Sequence, residues 1–149
     1  MPAATVTRSL HLAAAPHDVW ASLADERGLS GWLADDVRVV VAPGQAGTAT
    51  DGGTTRRMVV TEVEAGRSVG FVWWDEAQPA DASVVTISVE ADAQGDGSIV
   101  TVTERLAGAG VAHLGAATVA DLGSVEAHWD RRLRALVGAG EPALAAACV

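Results

Sequence analysis

The sequence predicts an α+β fold: a curved antiparallel sheet of about six or seven strands, two short helices, and one long C-terminal helix across the concave face. Three observations carry this expectation. First, Leu122, Val125, Trp129, Leu133 and Leu136 recur at spacings of three and four within Thr118 to Val137, a single apolar stripe at helical period. Second, from Asp36 to Leu106 the hydrophobic period is two and the breaks are hairpin-length, as in an antiparallel meander. Third, no internal repeat and no linker divides the chain, so residues 1–149 read as a single domain of ordinary size.

Taken in order, Thr5 to Leu12 alternates and reads as a half-buried strand. Pro16 suits the first turn of a short helix that turns Val19, Trp20 and Leu23 inward. Gly28 is expected to break that helix, with Leu29, Trp32 and Leu33 on one or two further turns. Val37 to Val41 is the next strand, ended by the turn Pro43-Gly44. Gly47 to Thr50 is a weak strand, and Asp51-Gly52-Gly53 is a strong hairpin signal leading into Arg57 to Glu64. Arg67 to Trp74 follows, then a polar loop around Gln78-Pro79. Ser83 to Ala91 sets Val85, Ile87 and Val89 on one face, and Ser98 to Leu106 does the same with Val100 and Val102. A Gly/Ala loop, Ala107 to Ala117, precedes the long helix. Asp121 near its start, Arg131, Arg132 and Arg134 near its end and Gly138 as its stop all suit the helix dipole and C-cap. A strongly twisted sheet of this size curls, and only that helix is long and apolar enough to cover the concave side.

Composition excludes several functions. The net charge is −9 with ten arginines and no lysine, which makes the chain a poor partner for nucleic acid or anionic membrane. Without lysine there is no side-chain Schiff base, and without tyrosine no phenolic acid. Cys148 is the only cysteine and stands at the end of the chain, so neither an intrachain disulfide nor a redox pair is expected. No apolar run reaches the length of a membrane span and the first residues lack a signal-peptide pattern, which makes the cytoplasm the default compartment.

The layout resembles the helix-grip fold of the START/Bet v 1-like (SRPBCC) superfamily. It is similar in particular to the branch of the C-terminal domain of the activator of Hsp90 ATPase. The resemblance is carried by Pro16, Val19-Trp20, Leu23, Asp25, Leu29, Trp32 and Leu33. Pro43-Gly44, Val60-Thr61-Glu62-Val63 and Phe71-x-Trp73 continue it, with Val100 to Glu104 and Trp129-x3-Leu133-x2-Leu136 in register. It extends over nearly the whole chain and implies a pocket for a hydrophobic small molecule between sheet and helix. Some relatives are polyketide cyclases or aromatases. The eukaryotic activator has a further chaperone-gripping domain, for which 149 residues leave no room.

Glu104 is the leading candidate for polar chemistry. If Val100 and Val102 face the interior, alternation puts this carboxylate on the same apolar side. A strand end open to solvent, or an arginine partner, is the plainer alternative. Trp32, Phe71, Trp73 and Trp129 are expected to form an aromatic wall or ordinary core. Val85, Ile87, Val102 and Val125 would complete the lining, and His113, on the loop before the long helix, would stand at the mouth. Trp74 should face outward, as a homodimer patch or under a loop. His128 is expected on the solvated face of the long helix. No two histidines pair at metal-ligand spacing, so no metal and no cofactor is expected. Gly108-Ala-Gly110 followed by His113 lacks the third glycine of a dinucleotide loop and reads instead as a flexing lid.

The expected function is therefore non-covalent binding of a hydrophobic small molecule, and nothing in the residues demands catalysis. The alternatives are a polyketide cyclase-like enzyme using Glu104 with pocket water for proton transfer and a protein-interaction module related to the Hsp90 activator.

Overall fold

A computed structural model of the chain describes residues 5–77, 82–106 and 125–137. Seven strands form one antiparallel sheet: β1 Thr5–Leu12, β2 Asp36–Arg38, β3 Ala46–Asp51, β4 Thr54–Glu64, β5 Ser68–Asp75, β6 Ser83–Ala91 and β7 Ser98–Leu106. Their spatial order is β1-β7-β6-β5-β4-β3-β2. β2 to β7 thus run as a meander, and β1 returns to pair with β7. Two short helices, α1 Pro16–Trp20 and α2 Glu26–Leu29, link β1 to β2. A helix over residues 125–137, here α3, covers the sheet. This is the helix-grip arrangement.

Period-two alternation places one set of side chains on the inner face. Val69, Phe71 and Trp73 of β5, Val85, Ile87 and Val89 of β6, and Val100 and Val102 of β7 are all buried. From α3, Trp129, Leu133 and Leu136 join the same core, each worth a gross ~2 kcal/mol by the apolar area removed from water. Ionic contacts tie α3 to both sides of the sheet. Arg8 of β1 bonds to Glu126, with Asp130 Oδ1 3.3 Å from its Nε. That second contact is close enough for charge attraction but is not aligned as a hydrogen bond. Toward the opposite edge, Arg132 pairs with Asp51 at the end of β3, and Asp35 lies 3.6 Å away.

Two expectations about local structure are corrected. Gly28 does not break the first helix; it lies inside α2, where its N–H donates to the N-cap carboxylate of Asp25 at 2.8 Å. It is glycine because a Cβ there would overlap the Ala21 carbonyl and stand 2.9 Å from Ser22 Cα. β2 is also shorter than the valine run suggested, ending at Arg38, and Val40 is 65% exposed. At this outer strand the Ser30 hydroxyl donates to Val37 O and accepts from Val37 N, while Glu26 accepts from Val39 N. The α2 segment thereby satisfies backbone groups that an open edge would offer to another chain.

Candidate functional site

β7 sets the site. Its alternation carries Val100, Val102 and then Glu104 inward, and register places Glu104 between Val6 of β1 and Val85 of β6. Glu104 is 6% exposed. Neither alternative foreseen for it holds: it does not reach solvent, and among the described residues no arginine pairs with it. Instead the Trp73 indole donates to Oε2 at 3.0 Å, the Trp129 indole donates to Oε1 at 2.9 Å, and the Ser83 hydroxyl also donates to Oε2. An indole N–H can only donate. Two of the three partners therefore demand an acceptor, and one carboxylate from β7 bridges β5, β6 and α3.

The aromatic groups around this bridge are tightly arranged. Trp73 and Trp129 stack with centroids 5.7 Å apart at 18°, and Phe71 meets Trp73 edge-on at 5.3 Å. Arg56 of β4 lies over Trp73, its Cζ 4.7 Å from the ring centroid. His128 does not lie on a solvated face, contrary to the sequence expectation. It packs edge-on against Trp129 at 5.2 Å and Trp73 at 6.3 Å, and its buried Nε2 has no hydrogen-bond partner among the described residues. The apolar stripe marks only the centre of the helix's buried surface, whereas the sheet also reaches the flank where His128 stands. Burial pushes its pKa from 6.5 down to about 4; Arg56 and Arg132 oppose the proton as well, outweighing the pull of Glu104 and Asp51. The imidazole is neutral at physiological pH. Asp51 shows the opposite balance: burial raises its pKa, but the bond and charge of Arg132 leave it below the usual carboxylate range.

Of the residues predicted for a pocket, Trp73, Glu104 and Trp129 are in mutual contact and Phe71 meets Trp73. Val85, Ile87 and Val102 are buried beside them in the core. Val125 packs against that core partly buried. Trp32 belongs to the same core, but its indole donates to Ser22 O at 2.9 Å rather than to Glu104. Trp74 turns away from this face and is only partly buried. His113, the 107–117 loop, Leu122 and Cys148 lie outside the described residues. Sequence reasoning missed Ser83, Arg56 and His128. The first two were within reach: Ser83 shares parity with Val85 and Ile87, and Arg56 with Met58 and Val60. A surface groove of ≈ 600 Å³ between α2 and β2, lined by Glu26, Arg27, Ser30, Asp36, Val37 and Arg38, contains none of the pocket candidates. Among the described residues there is no metal-ligating cluster and no helix long and apolar enough to cross a membrane.

Comparison with known proteins matches residues 3–146 to the family described as polyketide cyclase / dehydrase and lipid transport. Among solved structures, DynU16, a protein from the dynemicin biosynthetic locus, aligns with a TM-score of 0.76 at 16% identity. The match covers 92% of this chain but 47% of that one, so the chain spans about half its length. CalU16 from Micromonospora echinospora aligns at TM-score 0.69 and 16% identity, covering 90% of this chain and 74% of CalU16. The Aha1 dimer from Colwellia psychrerythraea aligns at 0.72 and 14% identity, covering 91% and 95%. At these identities the structures establish a shared fold. No curated protein matches the chain.

Proposed function

Because the chain belongs to the polyketide cyclase / dehydrase and lipid transport family of the SRPBCC superfamily, we propose that it binds a hydrophobic small molecule between the sheet and α3, with Glu104 as the fixed polar landmark of that site. The observation that carries this reading is the Glu104 bridge. A buried carboxylate held by two indoles and a hydroxyl, with no cation in contact among the described residues, forms a polar point in an otherwise apolar interior. Oε2 already accepts two bonds, while Oε1 accepts one and keeps a lone pair for a ligand hydroxyl. Phe71, Trp73 and Trp129 supply flat apolar surface beside it. Native mass spectrometry of the purified protein tests this, with 2-naphthamide as an added probe. A retained apolar mass, or a probe adduct that quenches tryptophan emission, supports the reading. A bare protein mass with unquenched emission rejects it.

Cyclase chemistry is the second reading, favoured by the family's description and by the dynemicin-locus neighbour. Glu104 would then use Oε1, through a pocket water, to move a proton at an enolisable carbon. The donors already on the carboxylate suit a holding role better than a shuttling one. Turnover of a polyketone that vanishes in Glu104→Gln would reverse that preference. The Aha1 likeness, together with the Pro16 to Leu33 opening, supports placement in the Hsp90-activator branch, and the dimeric state of that structure supports a homodimer here. Size-exclusion chromatography with light scattering tests the second point, and a chaperone pull-down tests an interaction role.

A further inference from the structure

The chain carries far more carboxylates than arginines, yet one arginine in the interior wall has no acidic partner among the described residues. Among the described residues, Arg8, Arg38, Arg57, Arg67 and Arg132 each have an acidic partner. Of those that do not, Arg27, Arg105, Arg131 and Arg134 are exposed, and only Arg56 is half-buried. Among the described residues, the carboxylates around it bond to other groups. Asp75, its cross-strand neighbour on β5, accepts from Ala77 N at 2.8 Å. Asp51 is held by Arg132, and Glu104 by its three donors. A partly desolvated guanidinium left unpaired beside bound carboxylates is costly unless something anionic joins it. His128 supplies the second sign. Its buried Nε2 lacks a partner among the described residues, and it packs against Trp73, the indole over which Arg56 lies.

We propose that Arg56 and His128 form an oxyanion subsite at the polar end of the interior, selecting planar apolar ligands that carry one ionised oxygen, a carboxylate or an enolate. The idea rests on the binding reading above and adds the ligand's chemical class to it. The guanidinium donates to the oxyanion, and His128, as its Nε2–H tautomer, donates beside it. The ring system of the ligand lies along the aromatic wall of Trp73 and Trp129. Charge-assisted bonds are the strong kind, so the acid should bind about tenfold or more tighter than its neutral amide.

Calorimetric titration at neutral pH with two matched pairs tests this. The first is 2-naphthoate against 2-naphthamide; the second is 2-hydroxy-1,4-naphthoquinone, an enol ionised at neutral pH, against its methyl ether. An acid preference in either pair, abolished by Arg56→Gln, kept by Arg56→Lys and weakened several-fold by His128→Leu, supports the subsite. The pair that shows it tells which oxyanion is recognised. Equal binding of acid and neutral partner overturns the subsite and leaves the binding site intact. No heat with any of the four compounds overturns both. A preference that survives Arg56→Gln also overturns the assignment, because the anion is then held elsewhere.

Discussion

Replacing Glu104 by glutamine should expose how much of the fold hangs on one side chain. The carboxylate accepts from Trp129 on Oε1 and from Trp73 and Ser83 on Oε2. A glutamine amide has one accepting oxygen and one donating nitrogen. If its oxygen meets Trp73 and Ser83, its NH2 faces the Trp129 N–H. If it is flipped, the NH2 faces the Trp73 N–H. Either way one buried indole is left without an acceptor. Losing a charge-assisted bond and stranding a donor should together cost ~2–4 kcal/mol, a large share of the roughly 5–15 kcal/mol that holds a domain. Trp129→Phe removes one donor, so the double variant escapes part of that penalty. We expect the two single costs to exceed the double by ~1–2 kcal/mol. Urea unfolding followed by far-ultraviolet circular dichroism measures the cycle without depending on the tryptophan removed. Costs that add to within ~0.5 kcal/mol, or a Glu104→Gln cost below that figure, would refute the bridge.

His128 gives a pH prediction. Its folded pKa of about 4 lies below the ordinary 6.5, so between those values the unfolded chain binds a proton that the folded chain refuses. Stability is therefore full above pH 6.5 and falls as the pH drops toward 4, by up to ~3 kcal/mol at about 1.36 kcal/mol per pH unit. His128→Leu should flatten that part of the curve in urea titrations across pH, and an unchanged slope would show that His128 is not the group responsible. Gly28→Ala, normally a gain of up to ~1 kcal/mol inside a helix, should instead cost ~1–3 kcal/mol through overlap with Ala21 and Ser22; a raised melting temperature would contradict the close approach. Ser30→Ala should cost ~1 kcal/mol and free the Val37 backbone for pairing, read as concentration-dependent self-association in sedimentation. A variant as stable and monodisperse as its parent would mean the edge is protected by something else.

What the sequence made legible follows from where the information lies. β1, β6 and β7 match the alternating runs from end to end because each has one buried face and one open face, so parity alone fixes them. The inward turn of Glu104 came from the same parity. Its partners did not, because Trp73, Ser83 and Trp129 come together only through strand register and the placement of α3, which no single segment encodes. Val39 to Val41 failed as a strand because three consecutive valines carry no alternation, and Ser30 and Glu26, from another segment, take the nearby backbone groups. At Gly28 the usual role of glycine as a helix stop misleads. Here the reason was a neighbouring turn of chain that presses against it.

A guest bound between the sheet and α3 would lie against Trp73 and Trp129, the tryptophans that hold Glu104. The chain has five tryptophans, Trp20, Trp32, Trp73, Trp74 and Trp129, and each indole N–H is a separate reporter in a ¹H–¹⁵N spectrum. Titration with 2-naphthamide, neutral and so independent of any oxyanion subsite, should move the Trp73 and Trp129 resonances while leaving Trp74 in place. Shifts confined to Trp74 or Trp20, or none at all, would contradict a site in that interior.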